Sequence, residues 1–252
     1  MMVRDGQPSQ TARRVAAYRL AFDRVAAPFG DPAADELLAA DVSAGVAVNS
    51  DGRMAKYLQY RTAFFDRVAV NALDGGCTQL VTLGAGYDAR AWRYAKSGVR
   101  WFEVDHPATQ ADKRARLDRL GITTQPVKFV AADLVEDDAA EALLGAGFQP
   151  EVPALLLCEG LAVYLSPAVL ADLFEQLRSI AAAAGTRLAL SGGVEGSNSA
   201  RRAAFAERVA RLGEPLASTR ADIAEALETA RWRQTEVSGP AHRLGLMVAV
   251  PV

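Results

Sequence analysis

Four carboxylates stand where short apolar runs give way to another texture. Asp88 lies just beyond LVTL (80–83), Asp105 follows RWFEV (100–104), Asp133 lies just beyond VKFVA (127–131), and Glu159 directly follows ALLLC (154–158). If these runs are parallel strands, the acids meet in the cleft outside the strands' carboxyl ends, where open α/β sheets bind ligands. Any one of them could merely cap a helix; all four together point to a shared ligand. Between the first run and Asp88 lies the loop Gly84-Ala85-Gly86-Tyr87. Gly84, Gly86 and Ala89 satisfy the relaxed pattern G-x-G-x-x-G/A, whose glycines permit a tight turn and a close backbone approach to a nucleotide-like ligand. An acid about twenty positions on, suited to ribose hydroxyls, is present as Glu103 or Asp105.

The loop alone fits a nicotinamide dinucleotide as well as S-adenosylmethionine (SAM), because both present a ribose to a carboxylate at a strand end. Asp88 separates the two. It falls at a helix start, where free backbone N–H groups would otherwise receive a pyrophosphate, and a carboxylate there repels phosphates. SAM has no phosphate; its sulfonium and ammonium favour nearby carboxylates. The expected cofactor is therefore SAM, with Asp88 in its site, and a nicotinamide-dependent dehydrogenase is disfavoured. No metal is expected, since Cys77 and Cys158 are the only cysteines and are too few for a metal cluster or a disulfide framework. Cys158, inside an apolar run, reads as a buried reduced thiol.

These residues need a scaffold to position them. Residues 10–78 read as mostly helical. Val15, Tyr18, Leu20, Phe22 and Val25 lie close to helical spacing, Pro28, Gly30 and Pro32 interrupt, and a second helix runs from about Met54 to Leu73 until Asp74-Gly75-Gly76 ends it. From Gln79 the apolar runs, with RLALS (187–191) as a fifth, alternate with helical patterns at about 89–97, 107–120, 136–145 and 167–184. Ser166 and Pro167 suit the N-cap and first position of the last helix. Such alternation implies a mostly parallel sheet with right-handed crossovers. After a helix at 219–230, WRQTEV (232–237) and LGLMVAV (244–250) are joined by Ser238 to Arg243 alone, too short for a parallel crossover, so they pair antiparallel.

The expected fold is α/β, a Rossmann-like class I methyltransferase fold. It has a seven-stranded, mostly parallel sheet with one antiparallel strand and a helical N-terminal cover. One domain is expected over 1–252: the cover at 1–78, a cofactor-binding core at 79–191, a substrate cap at 192–218, and a C-terminal helix and hairpin at 219–252. The chain of 252 residues is 50% hydrophobic and 23% charged, a globular balance. Twenty-eight Lys plus Arg against 30 Asp plus Glu leave a net charge of -2, which offers no footprint for nucleic acid or an anionic membrane. The start MMVRDGQPSQ has no apolar signal core, and Pro153 to Leu165 is broken by Glu159 and too short to span a bilayer. A cytoplasmic location is expected, with no nucleic-acid or membrane partner.

Five segments, in order, carry a family likeness: YRTAFFD (60–66), LGAGYDARAWR (83–93), FEVDHPATQADKRARL (102–117), AADL (131–134) and CEGLAVYLSP (158–167). Through them the chain resembles the leucine carboxyl methyltransferase family, including bacterial members linked to secondary-metabolite O-methylation. The resemblance implies that Arg61 pairs with the SAM carboxylate, that Gly84, Ala85 and Gly86 let the backbone approach its methionine part, and that Asp105 holds the ribose. It also implies that Asp133 and Leu134 flank the adenine, Glu159 faces the ammonium, and Tyr164 lies near the transferred methyl. The amino-terminal segment follows the family only loosely where a cofactor lid usually stands; Arg13 or Arg14 are candidates for the basic contact expected there.

Methyl transfer from a sulfonium is an in-line displacement and needs an acceptor that is ionised already or a base to ionise it. Only His106 and His242 are available among histidines. His106 reads as a neighbour of the ribose, while His242, before the last strand, is a candidate base on the cleft rim. Scarce histidine favours a carboxylate acceptor, which needs no base, on a small molecule or peptide terminus. Arg201 and Arg202 are candidates to clamp it. A hydroxyl- or nitrogen-directed methyltransferase, and a SAM-binding protein without transfer activity, are the alternatives.

Overall fold

A computed structural model describes residues 7–125, 127–192, 203, 206–207, 209–211, 213–235 and 240–252. Three helices come first: α1 (Gln10–Arg19), α2 (Pro32–Ser43) and α3 (Arg53–Asp74). The Ser9 hydroxyl accepts from the Ala12 N–H to cap α1, and Asp31 caps α2 ahead of Pro32. The proline fits there because the first helical N–H has no partner to lose. The first helix stops at Arg19, short of the periodicity that ran on to Val25. Beyond it the chain departs from the helix, and the Tyr94 hydroxyl donates to the Val25 carbonyl at 2.9 Å.

The sheet contains β1 (Gln79–Leu83), β2 (Arg100–Asp105), β3 (Val127–Ala131), β4 (Ala154–Cys158), β5 (Arg187–Ser191), β6 (Trp232–Thr235) and β7 (Leu246–Pro251), in the order β3-β2-β1-β4-β5-β7-β6. Every pair among β1 to β5 is parallel, and β7 runs antiparallel to both β5 and β6. The expected architecture is the one observed. Its strand order reverses at β1, between β2 and β4, and that is where ligands of such sheets bind. The crossover helices are α4 (Arg90–Arg93), α5 (Pro107–Arg119), α6 (Ala139–Gly145) and α7 (Pro167–Ser179); α8 (Arg220–Thr229) precedes β6 and α9 (Pro240–Arg243) precedes β7. The helix expected at 89–97 is a single turn, and the chain then bends through Gly98 at φ +78°.

Strand residues alternate between two apolar layers, as the period of two requires. Val81, Leu83, Phe102, Leu156, Leu188 and Met247 pack with α6, α7 and α8. Leu80, Trp101, Leu155, Leu157 and Ala189 pack on the other face with Phe65, Leu73 and Leu117. Both faces being covered explains why β1 and β4 are buried at every position and why β4 reads as an unbroken apolar run. Cys158 is buried at the end of β4, and burial pushes its thiol up to about 12, which keeps it protonated and inert. No described helix is long and apolar enough to cross a membrane. Most of the expected cap at 192–218, Arg201 and Arg202 included, lies outside the described residues, as does the end of the run expected at 232–237.

Candidate cofactor site

The site begins where β1 ends. Gly84 and Gly86 have φ of +60° and +54°, in the region that costs an L side chain about 1–2 kcal/mol per residue. A Cβ on Gly84 would lie 3.1 Å from Leu161, and one on Gly86 would lie 2.9 Å from Ala12 of α1. The two glycines therefore bring three segments together: the loop, the turn after β4, and the first helix. The Gly86 N–H donates to Asp105 Oδ2, and the Asp105 carboxylate also accepts from the His106 N–H at 2.6 Å. Burial raises the pKa of Asp105, and these backbone donors only partly offset that.

A cleft of about 590 Å³, its open mouth included, is lined by residues that include Arg19, Arg61, Gly86, Asp105, Glu159 and Tyr164. Beneath it runs a network of buried arginines and carboxylates. Glu159 accepts from Arg61 Nε at 3.0 Å and Arg19 at 3.1 Å, and lies 2.7 Å from Arg90. Burial by itself would raise Glu159, but Arg90, Arg19 and Arg61 hold it well below the ordinary carboxylate range. Arg90, fully buried, also pairs with Asp66 at 2.7 Å and with Asp88. Arg24 closes the network by pairing with Asp66 and Asp35, each at 2.7 Å.

Arg61 lies flat on Gly160, where a Cβ would stand 2.8 Å from Nη1; at φ +71° only glycine sits there without strain. With Nε committed to Glu159, the terminal nitrogens of Arg61 have no hydrogen-bond partner among the described residues. Arg19 Nε is likewise buried without one. Unpaired guanidinium donors beside a cleft fit an anionic ligand group, such as the carboxylate of SAM. Asp105, at the β2 end, has acceptor capacity left for hydroxyls. These features fit the expected cofactor.

The predicted residues do not all converge. Arg61, Gly84, Ala85, Gly86, Asp105, Glu159 and Tyr164 line the cleft. Asp88 does not. Its carboxylate accepts from the Arg90 N–H at 2.8 Å and pairs with Arg90 and Arg19, which hold it below its ordinary value against burial. Its charge is thus neutralised inside the protein, so the repulsion argument against phosphates loses its force. Asp133 and Leu134 follow β3 outside the lining; Asp133 sits 3.8 Å from His106 Nε2. His106 caps α5, with Nδ1 accepting from the Ala108 N–H at 3.2 Å. His242 is exposed on α9, 3.3 Å from Arg220, and lies outside the cleft lining. Of the two strand-end acids, Glu103 is turned to Lys113 of α5 at 2.5 Å, leaving Asp105 to the cleft.

Three residues were not foreseen. The basic residue that α1 brings to the cleft is Arg19, in its last turn, rather than Arg13 or Arg14. Arg90 sits in the quoted loop motif, but nothing local says that it is buried. Glu214 lines the cleft from the segment before α8.

The leucine carboxyl methyltransferase family matches residues 7–178. A relative from Mycobacteroides abscessus, named "Putative S-adenosyl-L-methionine-dependent methyltransferase", is 33% identical over 213 residues, covering 80% of this chain and 67% of its own. One of the same name from Mycobacterium bovis is 41% identical over 138 residues, 54% of this chain and 46% of its own. The chain thus spans between about half and two thirds of the length of these relatives. Among solved structures, a DUF574 family protein from Streptomyces avermitilis has a TM-score of 0.60 at 16% identity, covering 98% of this chain and 99% of that one. Magnesium protoporphyrin IX methyltransferase from Synechocystis, with bound SAH, has a TM-score of 0.53 at 14% identity, covering 82% and 90%. At those identities the likeness speaks for the fold. The sequence match over residues 7–178 speaks for more, because it takes in the glycine loop, Asp105, Glu159 and the arginine-bearing helices: the chain belongs to the leucine carboxyl methyltransferase family of SAM-dependent methyltransferases.

Proposed function

We propose that this chain transfers a methyl group from SAM to an oxygen atom of a small molecule or a peptide terminus. The observation that carries the reading is the meeting, in one cleft, of unpaired Arg61 nitrogens, the glycine loop and Asp105. SAM supplies an electrophilic methyl on a sulfonium. Arg61, aided by Arg19, binds the amino-acid carboxylate; the loop accepts close backbone contact; Asp105 orients the ribose; and Glu159, its charge met by Arg19, Arg61 and Arg90, holds Arg61 by its Nε at the cleft wall on the ammonium side. Asp133 and Leu134, at the β3 end, bound the adenine side. Burial and the nearby Glu214 push the Tyr164 hydroxyl up to about 12, so it stays protonated and serves as a hydrogen-bond donor, not a base.

The acceptor follows the family's description first. A carboxylate needs no base, and neither histidine lines the cleft. A hydroxyl is the second reading, favoured by the buried carboxylate of Glu214 on the same cleft. The test is calorimetric titration with SAM, SAH and NAD in parallel, followed by product analysis. Binding of SAM and SAH but not NAD is expected. A response to NAD alone would refute the cofactor assignment, and mild-base lability of the product distinguishes a methyl ester from an ether.

A further inference from the structure

Glu214 is a buried carboxylate, 3% exposed, on the wall of the cleft. Backbone hydrogen bonds fix the segment that carries it. The Glu214 N–H donates to the Val209 carbonyl at 3.1 Å, and the N–H groups of Ala217 and Ser218 donate to the Val163 carbonyl at 2.9 and 3.2 Å. Val163 precedes Tyr164 in the turn after β4, so the same backbone contacts tie Glu214 to the turn that bears the methyl-side tyrosine. Its Oε1 accepts from the Ser9 hydroxyl at 2.8 Å and from the Thr11 N–H at 3.4 Å. Its Oε2 has no partner among the described residues, and no described cation pairs with it. Arg19 and Arg61, the cations of the cleft, are held instead by Glu159.

A purely structural latch on Ser9 would need only a neutral acceptor, because burying a charge without a counter-ion is unfavourable. A glutamine would do the same. On a residue that lines the cleft, Oε2 is left as an acceptor that the Ser9 contact does not use. We propose that Glu214 is the catalytic base of this enzyme and that its acceptor is a neutral hydroxyl, a phenol or an alcohol. The acceptor O–H proton passes to Glu214 Oε2. The oxygen's electron pair forms the new O–C bond, the S–C bond breaks, and its electrons remain on the now neutral thioether. An anionic acceptor would meet like charge from Glu214 at this place. The inference rests on the methyl-transfer reading and decides between its two acceptors.

The experiment compares wild type and Glu214→Gln on two phenols of similar shape, 4-methylphenol, protonated near neutral pH, and 4-nitrophenol, largely ionised at pH 8, with 4-methylbenzoate as the carboxylate probe. The wild type should methylate 4-methylphenol, the neutral acceptor, in preference to the benzoate. Loss of a base costs about 10²–10⁴-fold, so the variant should lose at least a hundredfold on 4-methylphenol and no more than a few-fold on 4-nitrophenol. Its SAH affinity should stay within threefold. Ser9→Ala, which removes the hydrogen bond but keeps the carboxylate, should treat the two phenols alike and so reports any effect of the latch. Equal losses on both phenols, preference for the benzoate, or a wild type silent on both phenols would each overturn the proposal. A wild type that fails to bind SAH would instead overturn the methyltransferase reading beneath it.

Discussion

Gly160→Ala offers a sharp trial of how the arginine is aimed. Gly160 follows Glu159, and its N–H donates to Ser191 Oγ at 2.8 Å. At φ +71° an alanine costs about 1–2 kcal/mol of stability from backbone strain alone. The new Cβ would also stand 2.8 Å from Arg61 Nη1 and 3.1 Å from Cζ. Those atoms end a flexible side chain, so they yield at small cost to stability, and the damage falls on ligand binding. With Arg61 binding the SAM carboxylate as proposed, displacing the guanidinium removes a charge-assisted hydrogen bond worth about 1.5–3 kcal/mol. At 1.4 kcal/mol per factor of ten, SAM affinity should fall about tenfold to a hundredfold. Gly121→Ala is the matched control: its φ is +67° and a Cβ there meets nothing within 4 Å. Both variants should melt earlier by similar amounts, while only Gly160→Ala should weaken SAM in calorimetry. Equal SAM affinity in the two variants would refute the placing of Arg61 against the cofactor.

Two further outcomes are expected. Arg90→Leu leaves Asp66, Asp88 and Glu159 short of their shared cation; breaking such a buried pair costs about 3–5 kcal/mol, to be read as a lower urea midpoint, and a loss under about 1 kcal/mol would deny the network its role. Burial raises Glu103 to about 7 from its ordinary 4.5, and Lys113 only partly opposes this. The folded state then binds a proton that the unfolded state has released, so this group's contribution to stability declines as pH rises from about 4.5 to about 7. Glu103→Gln should flatten that decline, measured as the difference between urea midpoints at pH 5 and pH 7.

The arginine network gives the amino-terminal cover a direct electrical link to the site. Arg19 ends α1 and touches both Asp88 and Glu159, while Arg24, in the connection to α2, shares Asp66 with Arg90. Each partner is a carboxylate that would be unfavourable to bury alone. The amino-terminal helices and the sheet are thus held together by the same charges that surround the cleft.

Periodicity and turn chemistry make the scaffold legible in the sequence alone. The strands β1, β2, β4 and β5 matched their runs because both their faces are largely buried, while the edge strand β3 leaves Lys128 and Ala131 exposed; Ser166 and Pro167 started α7 as their types require, and the short link before β7 forced an antiparallel pairing. The glycine loop and Asp105 were legible too, since positive φ and a strand-end acid are local requirements. Ionic partners were not. Arg19 reaches Asp88 and Glu159 across 69 and 140 residues, and Ser9 reaches Glu214 across 205. No local period encodes such pairings. Asp88 looked like a cofactor contact because its charge was visible and its neutralising arginines were not. His242 looked like a rim base because its place in the chain was known and its direction was not. Local chemistry set the elements and the loop; only the packing of α1 and the 213–218 segment against the β4 turn decided which charges face the cleft and which cancel beneath it.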